Sequence, residues 1–290
     1  MKTYLKVDES KCKKCSICTS TCPSRIRISE RISSGLENKG CCSCLHCYAV
    51  CPHEAISIKG MGILYPDKKG SSDIDDKQLF DFLARRRSYR KFKDLSIERS
   101  IIDKLVSAAL LIPSGGNSHP YDFTVIVKND TRDMLAAMIK ADYLAKDKLL
   151  RNIVSRKVLS LFADSQTKAF INDREYLGRV LDIFDQLKDG RDPVFYQAPA
   201  VILIHSSELM PTPKEDCVLA AYNMVLMAES LGLGTCIVTL AQNAINDSKW
   251  CKKILGLKKQ DVVHAVVVLG YPQEQYFRPV PKKVKEMLLV

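Results

Sequence analysis

The chain has 290 residues and a formal net charge of +11, with 46% hydrophobic and 27% charged residues. This composition is ordinary for a globular protein and excludes wholesale disorder. The length predicts one large domain or two unequal ones. No apolar stretch approaches the roughly 18 residues that a membrane span needs, and the N-terminus lacks the apolar core of a signal peptide. We therefore expect a cytoplasmic protein that does not enter the membrane.

Nine of the twelve cysteines lie between Cys12 and Cys51, and eight of these form two runs that share the spacing C-x2-C-x2-C-x3-C-P. The second run follows the first by 29 residues. This spacing is typical of [4Fe–4S] ligation in two-cluster proteins, where the fourth cysteine of each run serves the other cluster. The ligands predicted for the first cluster are Cys12, Cys15, Cys18 and Cys51. The ligands predicted for the second are Cys41, Cys44, Cys47 and Cys22.

Two other interpretations of these cysteines are a zinc knuckle and a disulfide scaffold. Zinc sites normally take two Cys-x2-Cys pairs, whereas each run here contains four cysteines, and disulfides conflict with the missing signal peptide. Cys42 fits neither register and is predicted to be a buried thiol. Over about residues 1–60 the sequence resembles the two-[4Fe–4S] ferredoxin family, which implies one-electron transfer at each cluster.

Beyond this module, Gly, Ser, Pro and alternating charge indicate a linker over residues 61–77, followed by a larger domain over 78–290. Helical and alternating apolar patterns predict the elements of that domain. They are a helix over Ile97–Leu111 capped by Ser96, a strand over Phe123–Lys128, a mostly helical stretch over Thr131–Lys188, a strand over Ala200–His205, a helix over Cys217–Leu231 that ends at Gly232, and a strand over Val262–Leu269. This mixture predicts a layered α+β or α/β domain.

Three segments of the larger domain carry functional signals. Arg85–Lys93 contains six basic residues in nine, and arginine forks suit phosphate, although a solvated basic helix face or a nucleic-acid patch would look the same. Pro113–Tyr121 supplies glycines and hydrogen-bonding side chains, but alone it reads as an ordinary turn. Gly232–Cys236 exposes backbone amides, but alone it is a helix C-cap and lacks the third glycine of a dinucleotide fingerprint.

In this order, the three segments resemble the FMN-dependent nitroreductase family over about residues 78–290. The family pattern R-R-S-x-R-x-F corresponds to Arg86–Phe92, and its P-S-x-x-N-x-Q-P-W segment to Pro113–Tyr121. Its helix ending S-L-G-L-G-T/S-C corresponds to Ser230–Cys236, and Ala198–Ala200 and Gly270–Pro272 match its A-P-A and G-Y-P patterns. The whole layout resembles ferredoxin–nitroreductase fusions. The resemblance implies an α+β fold, with a small ferredoxin-like domain followed by a three-layer αβα domain.

The resemblance also implies a bound FMN and a homodimer with a composite flavin site. The residues that match its flavin contacts are Arg86, Arg87, Ser88, Arg90, Pro113, Ser114, Asn117, His119, Gly232, Leu233, Gly234, Thr235 and Arg278. In the family, Pro113, Ser114 and Asn117 would contact the flavin bound by the partner subunit. His119 stands where the family usually has Gln, and Tyr121 where it usually has Trp.

The expected activity is reduction of a small organic acceptor of the nitroaromatic, quinone or enone class, with electrons entering FMN through the two clusters and no catalytic side chain. Alternatives are an NAD(P)H-dependent flavin reductase and a non-catalytic electron carrier or redox sensor. The positive charge predicts an acidic electron donor such as a small ferredoxin, and the lack of interleaved aromatic residues argues against nucleic-acid binding. The helical insertion over 131–190 is expected either to shape substrate access or to pack a core of its own.

Overall fold

The computed structural model describes residues 4–23, 41–59, 74–162, 165–284 and 286–288. The described chain divides into two compact units. The smaller unit contains the residues up to Lys59 together with Pro113–His119, and the larger contains Ile74–Ile112 and everything from Pro120 onward. Residues 61–73 of the linker predicted over 61–77 lie outside the described residues.

In its described residues, the smaller unit contains a two-stranded antiparallel sheet, two short α-helices and a 3-10 turn over Gly115–Asn117. Strand β1 (Tyr4–Val7) pairs with β2 (Ile56–Lys59), so that Val7 lies opposite Ile56. Helix α1 (Ile17–Thr21) lies inside the first cysteine run, and α2 (His46–Val50) lies inside the second. Among the described residues of this unit, the buried ones are Cys47, Ala55 and Ile56. The hydrophobic core formed by the described part of this unit is therefore very small.

The larger unit contains nine described helices and four strands. The helices are α3 (Asp76–Arg85), α4 (Arg99–Ala109), α5 (Asn129–Arg151), α6 (Ile153–Phe162), α7 (Ser165–Asn172), α8 (Arg174–Lys188), α9 (Pro213–Ser230), α10 (Thr239–Asp247) and α11 (Lys249–Ile254). The strands are β3 (Asp122–Ile126), β4 (Ala200–Ser207), β5 (Gly234–Ile237) and β6 (Asp261–Gly270). The predicted strands are confirmed, with ends that differ by one or two residues.

The four strands form one sheet in the order β3-β4-β6-β5, and every neighbouring pair is antiparallel. The central strands β4 and β6 are buried along nearly their whole length, which explains why both read as continuous apolar runs. Their register shifts where Ile204 pairs with Ala265 and His205 pairs with Val263. His264 is thus the extra residue of a β-bulge.

Helices cover both faces of this sheet. Val201 and Leu203 of β4 pack into one core with residues of α5, α8 and α10. The alternate residues Ile202 and Ile204 pack into a second core with residues of α4 and α9. Alternation of side chains along the strands therefore feeds two separate cores, and the predicted three-layer α+β arrangement is confirmed for the larger unit.

The helix boundaries show where local signals succeed and fail. Helix α9 ends as predicted, with Gly232 at φ 72° and the Leu233 N–H bonded to the Ala228 carbonyl at 2.9 Å. The predicted cap at Ser96 is wrong, because α4 begins at Arg99 with Glu98 as its N-cap. Ile97 is only 7% exposed and packs into the core before the helix begins, so core packing sets the start.

The stretch over 131–190 is helical as predicted, in the four helices α5 to α8. Helices α5 and α8 pack Tyr143 against Phe184, with ring centroids 5.8 Å apart and both side chains buried. Helix α6 has no buried residue, and its Phe162 is 87% exposed. The α5–α8 pair thus belongs to the core of the domain. Among the helices that the structure describes, none is both long and apolar enough to span a bilayer.

Candidate active site

The arginine-rich stretch leaves α3 at Arg85 and continues as extended chain beside β5. Ser88 forms a parallel bridge with Thr235, and the Tyr89 N–H donates to the Thr235 carbonyl at 2.9 Å. Two predicted site segments, whose paired residues Ser88 and Thr235 are 147 positions apart in the sequence, are therefore adjacent in space. The alternative of a basic helix face is wrong for this stretch, because the helix ends before Arg86.

The two glycines of the second segment have different roles. Gly232 supplies the left-handed backbone that ends α9. A Cβ at Gly234 would lie 2.7 Å from Cγ of Tyr89, so a larger residue would force the two chain segments apart. Leu233 between them is 2% exposed and packs its side chain into the core. Only the backbone of Leu233 can therefore face a bound group.

Cationic and polar side chains gather where the two segments meet. The Cys236 thiol interacts with the side chains of Ser88 and Arg90, and Arg86 is close enough to influence it electrostatically. Burial raises the pKa of Cys236 by more than these neighbours lower it, so the thiol stays protonated. The Cys236 side chain is buried, and its sulfur contacts the arginine cluster.

Arg87 is the member of this cluster with an unused donor. Its Nε is buried and meets no hydrogen-bond acceptor among the described residues. Its guanidinium carbon lies 5.4 Å from the centroid of the Tyr276 ring, which in turn packs 5.0 Å from the ring of Tyr89. Buried donors are rarely left unpaired, so this N–H indicates an acceptor from a bound group, and its arginine neighbours favour an anionic one.

Tyr196 is a site residue that the sequence did not reveal. It lies under Arg90, whose guanidinium carbon is 5.9 Å from the ring centroid. Tyr196 and Gln197 both have left-handed backbone, with φ 54° and 52°. The Asp192 carboxylate holds this turn by accepting three backbone N–H groups, including that of Gln197 at 2.9 Å. In the sequence, the only local signal of such a turn was the pair Asp192-Pro193, which lies shortly before Tyr196.

Pro113–His119 forms a hydrogen-bonded loop in the smaller unit. The His119 N–H donates to the Ser114 hydroxyl at 3.1 Å, and His119 Nε2 lies 3.0 Å from Asn117 Oδ1. The Asn117 side-chain amide donates to the Cys42 carbonyl at 3.0 Å. The structure therefore brings Ser114, Asn117 and His119 together, and groups them with the cysteine module.

Arg278, the last predicted contact, lies on an exposed C-terminal arm without helix or strand. Tyr276, two residues earlier, reaches the arginine cluster through its contact with Arg87. The arm is tied to the arginine-rich stretch by the Lys93 N–H, which donates to the Tyr271 carbonyl at 2.8 Å. The arm therefore starts at the site, where Tyr276 contacts Arg87 and Glu274 pairs with Lys91 at 2.7 Å.

The two cysteine runs adopt the same local structure, as their repeated spacing predicts. Ser16 and Leu45, 29 residues apart, both have left-handed backbone and precede the two short helices. The helices end at Cys22 and Cys51, whose N–H groups bond the carbonyls of Thr19 and Tyr48. The sequence repeat is thus a structural repeat.

Backbone N–H groups and neighbouring thiols surround the cysteine sulfurs. Ser43 N donates to Cys41 Sγ and Ala55 N to Cys51 Sγ, both at 3.4 Å. Burial raises the pKa of Cys44, and the nearby Cys42 and Cys22 add to the effect. Burial raises the pKa of Cys47 to about 11, with smaller contributions from Cys41, Cys44 and Cys18. Thiols of both runs therefore lie near one another.

No group of three or more histidine, cysteine or acidic side chains in the described ranges converges in a geometry that holds a single metal ion. The two iron–sulfur clusters and their eight ligands therefore remain a prediction. Cys42 is half-buried, where the sequence led us to expect a buried thiol.

A family model described as "Nitroreductase family" matches residues 83–271. A candidate NADH dehydrogenase/NAD(P)H nitroreductase of Archaeoglobus fulgidus is 26% identical over 199 residues, which cover 69% of this chain and 88% of that protein. The range matched by the family model includes the arginine-rich stretch and β5.

Two solved structures share the fold. A nitroreductase with bound FMN from Desulfitobacterium hafniense superposes with a TM-score of 0.54 at 20% identity, covering 73% of this chain and 97% of that one. A nitroreductase with bound FMN from Bacteroides fragilis gives a TM-score of 0.53 at 18% identity, covering 73% and 98%. At these identities the likeness concerns the fold alone.

Proposed function

This chain belongs to the Nitroreductase family, and on that premise we propose that it is an FMN-dependent oxidoreductase whose flavin receives electrons through two [4Fe–4S] clusters. The family confirms the expectation of an enzyme of the nitroreductase type. The proposal adds the cofactors, the electron route and a small organic acceptor of the nitroaromatic, quinone or enone class.

The buried, unpaired Nε of Arg87 is the observation that carries the flavin assignment. It lies in a cluster with Arg86, Ser88 and Arg90, beside the glycine-containing strand β5. Arginine N–H groups bind phosphate oxygens through charge-assisted hydrogen bonds, and a serine hydroxyl adds a further donor. The residues present therefore fit the phosphate of FMN. Structures of the same fold that contain bound FMN add support.

FMN, when bound, supplies the chemistry, because a flavin exchanges electrons singly or in pairs. The chain's own residues orient it and set its electrostatic surroundings. Positive charge from Arg86 and Arg90 would favour the more negatively charged reduced flavin over the oxidised one. Burial raises the pKa of Tyr196 by more than the adjacent Arg90 lowers it, which keeps this phenol neutral and able to donate a hydrogen bond.

The cysteine module supports the iron–sulfur part of the proposal through its repeat and its N–H···S bonds. Hydrogen bonds to sulfur stabilise thiolate ligands and tune the potential of a cluster. The Cys22 thiol is close enough to Cys44 to influence it electrostatically, which supports the exchange of the fourth ligand between clusters. Cys12, Cys15, Cys18 and Cys51 would then hold the other cluster.

The proposal includes a homodimer and an acidic electron donor. A composite flavin site needs a second chain, because the resemblance assigns Pro113, Ser114 and Asn117 to the flavin of the partner subunit. The net charge of +11 favours association with an acidic small ferredoxin. Sedimentation equilibrium with FMN bound would test the first point, since a monomer that keeps its FMN contradicts it. Loss of donor-driven rate with rising salt would test the second.

A second candidate is direct reduction of the flavin by NAD(P)H, which the name of the Archaeoglobus fulgidus relative favours. Anaerobic mixing with NADH, followed at the flavin absorption, separates the candidates. Rapid bleaching by NADH alone supports the second, whereas bleaching only by reduced methyl viologen supports electron entry through the clusters. Bound FMN without turnover of any acceptor would instead indicate an electron carrier.

The decisive experiment is anaerobic purification with counts of iron, sulfide and FMN per chain. Two cubes require about eight iron and eight sulfide atoms, together with one FMN. Zinc in place of iron, or a protein without flavin, contradicts the proposal.

A matched pair of variants tests the flavin site itself. Arg87→Ala should weaken FMN binding at least about tenfold, because hydrogen bonds to charged groups contribute about 1.5–3 kcal/mol. Arg99→Ala is the control, since Arg99 is exposed and pairs with Asp103 on α4. Equal FMN affinity in both variants would remove Arg87 from the site. Titration of the apoprotein with FMN measures the difference.

A further inference from the structure

The C-terminal arm is paired with the arginine-rich stretch before it reaches the arginine cluster. The Lys93 N–H donates to the Tyr271 carbonyl at 2.8 Å, and the Gln273 N–H donates to the Lys91 carbonyl at 3.1 Å. The two segments run antiparallel to each other at this point. Because antiparallel partners are numbered in opposite directions, the arm continues from Gln273 back along the stretch toward Arg87.

Tyr276 is the residue of the arm that lies against the cluster. The guanidinium carbon of Arg87 lies over the Tyr276 ring, 5.4 Å from its centroid. The Tyr276 ring also packs edge-on to the ring of Tyr89, with centroids 5.0 Å apart. Two residues earlier, Glu274 pairs with Lys91 at 2.7 Å and fastens the arm. Tyr276 is therefore held by contacts of its own ring and by a neighbouring ion pair.

The contact with Tyr276 holds Arg87 without using its free donor. A cation over an aromatic ring is attracted by the π-electrons and needs no oxygen acceptor. The buried Nε of Arg87 still meets no hydrogen-bond partner among the described residues. An arginine that is already held in place also loses less rotamer freedom when it binds an anion. The ring therefore prepares Arg87 for an anionic oxygen.

We infer that Tyr276 is a positioning residue that gives the site a preference for a phosphorylated flavin, an inference that rests on the proposed function. In that proposal Arg87 binds the phosphate of FMN. Riboflavin has the same ring system and lacks the phosphate. Whatever Tyr276 contributes through Arg87 is therefore gained with FMN and not with riboflavin, and the difference between the two affinities is specificity.

A purely structural role for Tyr276 leads to a different expectation. If the ring only fastened the arm to Tyr89, its loss would loosen the whole site, and both flavins would bind more weakly by the same factor. If the phenol hydroxyl were the important group, its removal alone would weaken FMN binding. The ratio of the two affinities and the response to a ring without the hydroxyl separate these roles.

Two substitutions at Tyr276 provide the test. The full-length apoprotein is titrated with FMN and with riboflavin, and binding is followed by flavin fluorescence. Tyr276→Leu removes the π-electrons and keeps an apolar side chain, so the Kd for FMN should rise about fivefold while that for riboflavin stays unchanged. Tyr276→Phe keeps the ring and should restore FMN binding to within about twofold of the unmodified protein.

Phe277→Leu is the matched control. It makes an equivalent aromatic-to-leucine change at the next position of the arm, where the side chain is 84% exposed. It should leave the affinities for both flavins unchanged. A loss of FMN affinity equal to that of Tyr276→Leu would mean that any change in the arm weakens the site, and it would overturn the inference.

A double-variant cycle tests the route through Arg87 with FMN alone. In an Arg87→Ala background, Tyr276→Leu should cause no further loss of FMN affinity. A Tyr276 effect that persists in that background overturns the inference, as does unchanged FMN affinity in Tyr276→Leu or equal weakening of FMN and riboflavin. A Tyr276→Phe variant as weak as Tyr276→Leu also overturns it. Failure of the unmodified protein to bind FMN contradicts the proposed function instead.

Discussion

The cysteine module and the sheet domain differ most in how much they bury. The described part of the module buries Cys47, Ala55 and Ile56, whereas the sheet domain has two cores, one on each face of its four strands. Small units with little buried apolar surface rarely offset the loss of chain entropy on folding, and they usually depend on metals or disulfides. The sheet domain has enough core to fold without them. The stability of the cysteine module should therefore depend on bound iron, whereas the stability of the sheet domain should not.

The largest expected effect comes from Cys44→Ala. Loss of one ligand of the second predicted cluster should remove about half of the iron and sulfide, because one of two cubes is lost. Since ligand binding contributes the folding energy of small metal domains, the region up to Lys59 should become open to proteolysis. The sheet domain should keep its melting transition. Iron assay, limited proteolysis with mass spectrometry and calorimetry measure the three outcomes.

Cys42→Ala is the matched control for this test. Cys42 is half-buried, two residues from Cys44, and outside the repeated spacing. It should retain the full iron content and resist proteolysis. Equal iron loss in the two variants would mean that the repeated spacing does not define the ligands, and the contrast between the two units would lose its basis.

A substitution at a close contact in the sheet domain should destabilise that domain and leave the cysteine module unaffected. A Cβ at Gly270, at the end of β6, would lie 2.6 Å from Cδ of Pro199 and 2.9 Å from Cδ1 of Phe92. Gly270→Ala should therefore lower the free energy of unfolding of this domain by about 1–3 kcal/mol, the usual range for overpacking. Iron content should not change. Chemical denaturation followed by far-UV circular dichroism measures the loss.

Gly178→Ala is the counterpart on α8. A Cβ there meets no atom within 4 Å, and Gly178 lies inside a helix. Alanine should stabilise the domain by about 0.5–1 kcal/mol, because it loses less entropy than glycine in a helix. If both glycine variants changed stability in the same direction, the close contact at Gly270 would not be the cause.

The features of this protein that the sequence could predict are those that depend on neighbouring residues or on a family pattern. Local patterns identified the apolar strands β4 and β6, the end of α9 at Gly232 and the repeated cysteine turns, since each depends on residues close together in the chain. Family resemblance identified the arginine cluster. The cap at Ser96 failed because the packing of Ile97 into the core, a tertiary effect, moved the start of the helix.

The features that sequence reasoning missed all join distant residues. Tyr196 enters the site only because Asp192 holds a left-handed turn and Arg90 lies nearby in the fold. The bond between Asn117 and Cys42 joins residues 75 positions apart, and no local pattern encodes it. The contact between the Cys236 thiol and Arg90 belongs to the same class. Sequence patterns supplied the residues of the site but not their neighbours.

The smallest expected effect concerns His205 on β4. Burial lowers its pKa, and Lys258 adds to this effect, while Asp261 and Asp122 oppose it. The ring is only 6% exposed, with Nε2 3.0 Å from the Thr124 hydroxyl oxygen. Protonation would place a poorly solvated positive charge on this buried ring, so the folded domain favours the neutral form of His205.

The pKa of His264, the bulge residue on β6, is shifted in the same direction as that of His205. Burial lowers its pKa, and Lys214 and His205 act in the same direction, while Glu208 and Glu215 oppose it. Its Nε2 is buried without a hydrogen-bond partner among the described residues. The two histidines lie in adjacent strands of the sheet domain, so any acid sensitivity they cause belongs to that unit.

Acid should therefore destabilise the sheet domain before its carboxylates titrate. Above the unfolded histidine pKa of about 6.5, both states are neutral and the stability is fully present. As pH falls below that value, the unfolded chain takes up protons that the folded domain refuses, and stability decreases until the lowered folded pKa is reached. The melting temperature of the sheet domain should fall between pH 7.5 and 5.5. His205→Gln, which can still bond Thr124, should reduce this fall, and the double variant with His264→Gln should reduce it further. A slope that both variants leave unchanged would place the acid-sensitive groups elsewhere, in the cysteine module if iron is released over the same range.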